Sequence, residues 1–156
     1  MGKKTRIAGA AGASLIALVG AWEGLRLTAY SDAIGVPTIC YGETLGVKLG
    51  DKATKAECDA MLLQSLQRHE RGMRACLTNP DEIPIKSYIA FVSFTYNVGV
   101  GNFCKSTLHR LVNAGKIKAA CNELPKWSKA GGRTLRGLVR RRTAEQKLCL
   151  EGAAEG

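Results

Sequence analysis

The pattern of hydrophobic and polar positions first shows an uncharged stretch near the N-terminus. Residues 7–22, IAGAAGASLIALVGAW, contain no charged side chain. Their apolar positions Leu15, Leu18, Val19 and Trp22 recur at helical spacing, which predicts a first helix with a core-facing side. Basic residues precede this stretch, and a basic start before an uncharged run is also the layout of an export or anchor signal. The two interpretations are compatible, because a segment released from a membrane could pack as this helix.

The same spacing predicts further helices along the chain. Thr54 and Glu57 form a capping box, and a helix over residues 54–75 follows it. The segment around residues 87–98 is apolar on almost every side, which predicts a helix surrounded by other helices. Shorter helices are predicted over residues 106–114 and 116–124, and a last helix over 135–150. Turn formers and short extended pieces near residues 27–45 predict a hairpin sheet of two or three strands. The pattern as a whole predicts an α+β fold with a small sheet lobe and a larger helical lobe.

The cysteines add a covalent constraint to this picture. The chain of 156 residues carries six cysteines, and no two of them form a C-x-x-C pair. An even count at wide spacing in a small chain favours disulfides formed in an oxidising compartment, although six reduced core thiols are the alternative. We predict that neighbours pair in chain order: Cys40 with Cys58, Cys76 with Cys104, and Cys121 with Cys149.

The net charge of +10 indicates a polyanionic partner. Between Leu124 and Ala144 there are seven basic residues and no acidic one. This run lacks a helix-turn-helix or zinc-binding signature, so a basic face suited to an anionic cell envelope is favoured over nucleic-acid recognition. The rival hypothesis is a non-catalytic cationic protein that binds membranes or nucleic acid.

Candidate chemistry is concentrated in residues 22–42, WEGLRLTAYSDAIGVPTICYG. Glu23 ends the uncharged stretch, Asp32 lies in a turn, and Thr38 follows in the next extended piece. Cleavage of a glycosidic bond requires two carboxyl groups, one protonated and one ionised, on either side of the linkage. A glutamate at the end of an apolar helix suits the proton donor, and an aspartate in a polar turn suits the ionised group.

This segment resembles the active-site segment of the phage-type lysozymes, glycoside hydrolase family 24. The string E-G-L-R-L-T-A-Y-x-D-x-x-G-x-x-T-I-x-Y-G has the family spacing of Glu, eight residues, Asp, five residues and Thr. The resemblance continues through Asn97 and Trp127 to the Arg141-Arg142 pair. One departure is Glu43, where the family usually has histidine.

The resemblance implies a lysozyme-like fold and hydrolysis of the β-1,4 bond between N-acetylmuramic acid and N-acetylglucosamine in peptidoglycan. It implies Glu23 as general acid, Asp32 as the group that activates water or stabilises the cationic transition state, and Thr38 as a holder of that water. Inversion of configuration is favoured. We also expect Asn97 to contact the substrate, and Trp127 either to pack in the core or to stack on a sugar. One arginine, with Arg133 as the first choice, is expected to pair with Glu23 or to orient the substrate. No cofactor or metal is implied, and we expect a monomer that does not bind nucleic acid.

The N-terminal stretch is similar to that of phage endolysins with a signal-anchor-release segment. Such a segment inserts without being cleaved and later leaves the bilayer. On this basis we expect residues 1–22 to form a separable segment and residues 23–156 to form the catalytic domain. The enzyme would then be tethered to the inner membrane of the host before its release into the periplasm.

Overall fold

The computed structural model describes residues 4–156, which form a small sheet lobe and a larger helical lobe. The helices are α1 (Gly9–Glu23), α2 (Lys55–Ala75), α3 (Ile85–Val98), α4 (Val100–Lys105), α5 (Thr107–Asn113), α6 (Ile117–Cys121) and α7 (Arg136–Glu155). The strands are β1 (Arg26–Ser31), β2 (Pro37–Cys40), β3 (Lys129–Ala130) and β4 (Arg133–Thr134), and short 3₁₀ turns cover Pro80–Glu82 and Leu124–Lys126.

Helix α3 lies at the centre of the helical lobe. Its residues from Ser87 to Thr95 are all buried, as expected for a helix that is apolar on nearly every side. Helices α1, α2, α4 and α7 pack around it. From α1, the side chains of Leu15 and Val19 are 0% exposed, so this helix supplies part of the core.

The small lobe is an antiparallel hairpin formed by β1 and β2. Arg26 lies opposite Cys40, and Tyr30 lies opposite Thr38. The following loop returns along β1, where the Ala53 N–H donates to the Leu27 carbonyl oxygen at 2.9 Å. The predicted capping box then starts α2, with the Glu57 N–H donating to the Thr54 hydroxyl at 3.1 Å. The edge of the hairpin is thus hydrogen-bonded to the segment that leads directly into α2.

Three disulfides cross-link these elements. They join Cys40 to Cys58, Cys76 to Cys104 and Cys121 to Cys149, the pairs expected from the order along the chain. The first connects β2 to α2, and the third connects α6 to α7. The second connects the end of α2 to α4. Each bond therefore joins two elements that also pack against each other.

The helical lobe differs in detail from the sequence prediction. Gly99 ends α3 as expected, but α4 starts at Val100 and was not predicted. Helix α6 ends at Cys121 rather than near Leu124, and α7 extends to Glu155 rather than residue 150. The β3–β4 hairpin was not predicted, because strands of two residues are too short to show a period.

The N-terminal stretch forms α1, which has 15 residues. Within residues 4–156, no helix combines the length and the apolar character needed to cross a bilayer. Of the basic residues before α1, Lys3 lies outside the described range. Lys4 and Arg6 lie within it, and Lys4 forms an ion pair with Asp81 at 3.2 Å.

Candidate active site

Glu23 lies where the helical lobe meets the hairpin. It is the last residue of α1, and Gly24 ends the helix with φ at 74°, a left-handed conformation that favours glycine. The Gly24 N–H donates to the Gly20 carbonyl oxygen at 3.3 Å. The chain then turns into β1 at Arg26. This helix end positions a carboxyl group at the junction of the two lobes.

Arg141 of α7 fixes the Glu23 carboxylate. Its Nη1 donates to Glu23 Oε1 at 2.9 Å, and the two side chains are 4% and 28% exposed. Arg141 also donates through Nη2 to the Ser93 carbonyl oxygen at 3.2 Å and through Nε to Glu145 Oε2 at 3.4 Å. The arginine is thus held from three sides. Glu23 Oε2 has no hydrogen-bond partner within the described part of the chain, so this oxygen is available to a ligand.

A second arginine completes the network beneath Glu23. Arg142 binds both Glu145 and the side chain of Asn97, and its Nε donates to the Trp127 carbonyl oxygen at 3.0 Å. Glu145 is 0% exposed and also accepts from the Ser93 hydroxyl at 2.5 Å. A buried carboxylate with this many donors has its acceptor positions satisfied. The network ties α1, α3 and α7 together at the base of the site.

The choice of Arg133 as the partner of Glu23 was wrong. Arg133 lies in β4 and is exposed, whereas Arg141 makes the ion pair. The sequence offers five arginines between residues 133 and 142, and spacing alone does not show which one faces α1. One signal was available: Arg141 lies four residues before Glu145, so the two share a face of α7.

Asp32 and Thr38 lie together in the β1–β2 hairpin. Asp32 Oδ1 accepts hydrogen bonds from the N–H groups of Ile34 at 2.9 Å and Val36 at 2.8 Å. The Thr38 hydroxyl donates to the Val36 carbonyl oxygen at 2.9 Å, and Thr38 is 4% exposed. Because backbone N–H groups stabilise a carboxylate and fix its direction, the turn holds Asp32 in a defined orientation.

A cavity of about 430 Å³ opens beside Glu23. It is lined by Glu23, Gly42, Glu43, Thr44, Leu45, Ser65, Arg68, His69, Tyr96 and Asn97. The structure therefore brings Glu23 and Asn97 into one cavity, formed by α1, the loop after β2, α2 and α3. Asp32 and Thr38 are not among its lining residues; they remain on the hairpin.

Two ionisable groups of this cavity have shifted pKa values. Burial raises the pKa of Tyr96 to about 12, and the negative charges of Glu23 and Glu43 add to the shift. Tyr96 is therefore a neutral phenol beside the candidate acid. Burial also raises the pKa of Glu43, while the positive charge of Arg68 and the neighbouring His69 act in the opposite direction.

Tyr96, Arg68 and His69 line the cavity but were not predicted from the sequence as site residues. His69 Nδ1 lies 2.7 Å from the Ser65 carbonyl oxygen, and its ring meets the Tyr96 ring edge-on at 5.0 Å between centroids. These contacts make His69 a support for Tyr96. Tyr96 directly precedes Asn97 in the segment that resembles the phage-type lysozymes, and this position was the one sequence signal for its role. Arg68 and His69 lie on α2 at positions that ordinary surface residues also occupy, so the sequence gives no signal for a role in the site.

Trp127 lines a second cavity of about 400 Å³, which shares Asn97 with the first. Its ring packs edge-on against Phe94 at 5.3 Å between centroids. Lys129, Leu135 and Leu138 also line this cavity. Asn97 thus lies between two adjoining depressions, one beside Glu23 and one beside Trp127.

Comparisons with known proteins place this geometry in a family. Residues 20–145 match the family model described as Phage lysozyme. The SAR-endolysin of Bacteriophage PS119 is 43% identical over 131 residues, which cover 83% of this chain and 77% of the relative. The SAR-endolysin of Pseudomonas phage phiKMV is 41% identical over 152 residues, or 94% of this chain and 92% of the relative.

A solved structure shows the same fold. A point mutant of P22 lysozyme superimposes with a TM-score of 0.80 at 30% identity, and the match covers 96% of this chain and 99% of that one. The family match includes Glu23, Asp32, Thr38 and the buried arginine pair of α7. The chain therefore belongs to the phage lysozyme family and has its lysozyme-like α+β fold.

Proposed function

We propose that this chain is an endolysin that hydrolyses the β-1,4 bond between N-acetylmuramic acid and N-acetylglucosamine in peptidoglycan during host cell lysis. The observation that carries the proposal is the placement of Glu23. In a chain of the phage lysozyme family, its carboxyl group lies in a cavity at the lobe junction, fixed by Arg141 at 2.9 Å. A fixed carboxyl group in a cleft is what proton donation to a leaving oxygen requires.

In the proposed reaction, Glu23 donates its proton to the glycosidic oxygen as the bond to the anomeric carbon breaks. Water supplies the hydroxyl group that the anomeric carbon gains, and Asp32 accepts the proton that the water loses. The Ile34 and Val36 N–H groups donate to Asp32 Oδ1 and keep the carboxyl group in a fixed direction. The Thr38 hydroxyl already donates to Val36, which leaves its oxygen lone pairs to hold the water. Asn97 and Trp127 contact the sugar chain.

Glu23→Gln tests the acid. The substitution keeps the size of the side chain but removes the proton, so we expect turbidity clearing of cell walls to fall by at least about a thousandfold, while circular dichroism stays unchanged. Glu82→Gln, an exposed change outside the cavity, is the matched control. Full clearing activity in Glu23→Gln would remove Glu23 from the role.

Asp32→Ala distinguishes hydrolysis from a related reaction. We expect a loss of most of the rate, because the water loses its proton acceptor. Near-normal rates with anhydro sugar products would instead indicate a lytic transglycosylase, which uses one acid and no activated water. Mass spectrometry of the released fragments distinguishes the two, because hydrolysis adds one water to each product.

The family match supports the enzyme and not the rival non-catalytic class, which predicts binding without cleavage. A cationic membrane- or nucleic-acid-binding protein would leave purified cell walls without new reducing ends, and it would shift DNA or liposomes in a salt-dependent manner. The enzyme proposal predicts new reducing ends from the same preparation. Measuring reducing ends on purified walls decides between these classes.

We further propose that residues 1–22 tether the enzyme to the host inner membrane before release into the periplasm. Support comes from the relatives named SAR-endolysin and from the uncharged stretch at residues 7–22. Residues 9–22 belong to α1, and Leu15 and Val19 of this helix are 0% exposed in the fold. A segment inside the bilayer cannot fill this core at the same time, so the tethered protein should be inactive.

The tethering proposal is tested by collapsing the membrane potential. We expect protein that sediments with membranes to become soluble and active after the collapse, since the weakly apolar segment leaves the bilayer easily. Replacing four alanines or glycines of residues 7–22 by leucine should keep the protein membrane-bound and inactive. An exclusively cytoplasmic, reduced protein in growing cells would contradict this proposal and leave the enzymatic one intact.

A further inference from the structure

A basic surface with apolar side chains lies where the β3–β4 hairpin meets the start of α7. We call it the basic platform and define it by Lys129, Arg133, Leu135, Arg136, Val139 and Arg140. All six residues are exposed, and the two large hydrophobic ones, Leu135 and Val139, are 43% and 40% open to solvent. The platform therefore presents four cations and two branched apolar side chains on neighbouring turns.

The backbone beneath the platform is well ordered by hydrogen bonds. Lys129 pairs with Thr134 and Ala130 with Arg133 in the hairpin. The Leu135 N–H donates to the Ser128 carbonyl oxygen at 3.0 Å, and the Val139 N–H donates to the Leu135 carbonyl oxygen at 3.0 Å. Helix α7 itself packs along α3. The backbone positions of the six residues are consequently fixed before any partner binds.

The positive charge of the platform is not neutralised within the chain. Among residues 4–156, none of the four cations lies within 4 Å of a carboxylate oxygen. By contrast, the adjacent Lys126 is paired with Glu123 at 2.8 Å. Arg136 and Arg140 lie four residues apart on one helix, a like-charge spacing that disfavours the helix. Because no carboxylate among residues 4–156 offsets this repulsion, the arrangement favours an anionic partner outside the chain.

The apolar residues indicate which anionic partner fits. A charged polymer such as nucleic acid would bind the cations but would leave Leu135 and Val139 in water. The boundary between headgroups and acyl chains accommodates both, because it offers phosphates to arginine and hydrocarbon to leucine and valine. We propose that the basic platform docks the folded enzyme onto a membrane surface rich in anionic phospholipid. This contact is separate from residues 1–22 and does not depend on catalysis.

Vesicle co-sedimentation of the full chain with intact disulfides tests the proposal. We expect binding to vesicles of phosphatidylglycerol and phosphatidylcholine and none to pure phosphatidylcholine, at moderate salt. Lys129 and Leu135 also line the cavity beside Trp127, so the first variant is Arg136→Gln/Arg140→Gln, whose residues line neither cavity of the site. It should lose about thirtyfold in partition coefficient and keep its activity on soluble glycan fragments.

Lys48→Gln/Lys118→Gln is the matched control, since it removes two exposed positive charges elsewhere. We expect this control to lose less than about threefold, because surface attraction falls off within a Debye length. A second variant, Val139→Ser, should weaken vesicle binding about threefold while leaving binding to an anionic polymer such as heparin unchanged.

Three outcomes would overturn the proposal. Equal losses in the two double variants would show that only net charge matters. Unchanged vesicle binding by Arg136→Gln/Arg140→Gln would assign the contact to another part of the chain, including α1. The third outcome combines two results. Arg136→Gln/Arg140→Gln would lose as much binding to purified peptidoglycan or heparin as to vesicles, and Val139→Ser would bind vesicles like the wild type. Together these results would identify an anionic polymer as the partner.

Discussion

Among single residues, Arg141 has the largest consequences for the site. It is nearly buried and bonds to Glu23, Glu145 and the Ser93 carbonyl oxygen. An arginine fits this position because its planar guanidinium presents several donors in fixed directions, which one lysine ammonium cannot reproduce. The orientation of the candidate acid therefore depends on a residue of the last helix.

Arg141→Ala should reduce both stability and activity. Removing one member of a buried ion network leaves Glu145 with less compensation, so we expect a loss of about 3–5 kcal/mol in the free energy of unfolding. The rate should fall by about tenfold or more, because Glu23 loses its fixed position. Urea unfolding and clearing assays at a temperature where the variant is folded measure the two effects.

Arg140→Ala is the control for this prediction. Arg140 is the preceding residue, but it is exposed and makes no ion pair in the described chain, so its replacement should change stability by less than about 0.5 kcal/mol. Equal effects of the two substitutions on stability and rate would contradict the assigned role of Arg141.

Among the elements, the segment before α1 is attached to the helical lobe by a buried carboxylate. Glu70 of α2 is 0% exposed and accepts hydrogen bonds from the Thr5 hydroxyl at 2.6 Å, the Arg6 N–H at 2.8 Å and the Tyr88 hydroxyl at 2.5 Å. Arg6 also donates to the carbonyl oxygens of Pro80 at 2.9 Å and Ile83 at 2.7 Å. Together these bonds hold the start of α1 against α2 and α3.

Glu70→Ala should loosen this attachment. It leaves three donors without their acceptor, and each such group costs about 1–3 kcal/mol when it stays buried, so we expect a loss of roughly 3 kcal/mol or more. Hydrogen exchange at the Arg6 amide should accelerate in the native state. Glu82→Ala, an exposed change with no ion pair among residues 4–156, should leave both measurements near wild type. Unchanged exchange at Arg6 in Glu70→Ala would disprove the attachment.

For the molecule as a whole, the disulfides divide into one near the site and two within the helical lobe. Cys40–Cys58 joins the end of β2, two residues after Thr38, to α2. Cys121–Cys149 joins α6 to α7 within the helical lobe. The sequence separations of 18 and 28 residues are similar, so the two bonds should contribute comparable entropic stabilisation.

Because the two disulfides lie at different distances from the site, removing either should lower stability by a similar amount, but the two losses should affect activity differently. Cys40→Ala/Cys58→Ala and Cys121→Ala/Cys149→Ala should each lose about 3 kcal/mol in the free energy of unfolding. Only the first should also lower the rate several-fold under conditions where both remain folded, because it frees the hairpin that carries Asp32 and Thr38. Equal activity losses in the two variants would show that the Cys40–Cys58 bond has no special relation to the site.

The sequence by itself determined the features that depend on local pattern. The apolar period fixed the positions of α2 and α3, and the spacing of Glu23, Asp32 and Thr38 indicated the family because that segment is continuous in the chain. Helix α4 escaped prediction because it starts at Val100, directly after the glycine that ends α3. The β3–β4 hairpin escaped prediction because strands of two residues are too short to show a period.

The tertiary structure alone decided which distant side chains meet. Arg141 and Glu23 are 118 residues apart, and the selection of Arg141 over Arg133 follows from how α7 packs along α3. The cavity joins Tyr96, Arg68 and His69 to Glu23 for the same reason. Local spacing specifies which face of a helix is apolar. The partner of a polar side chain depends instead on how the elements are placed relative to one another, and this placement arises only when the core packs.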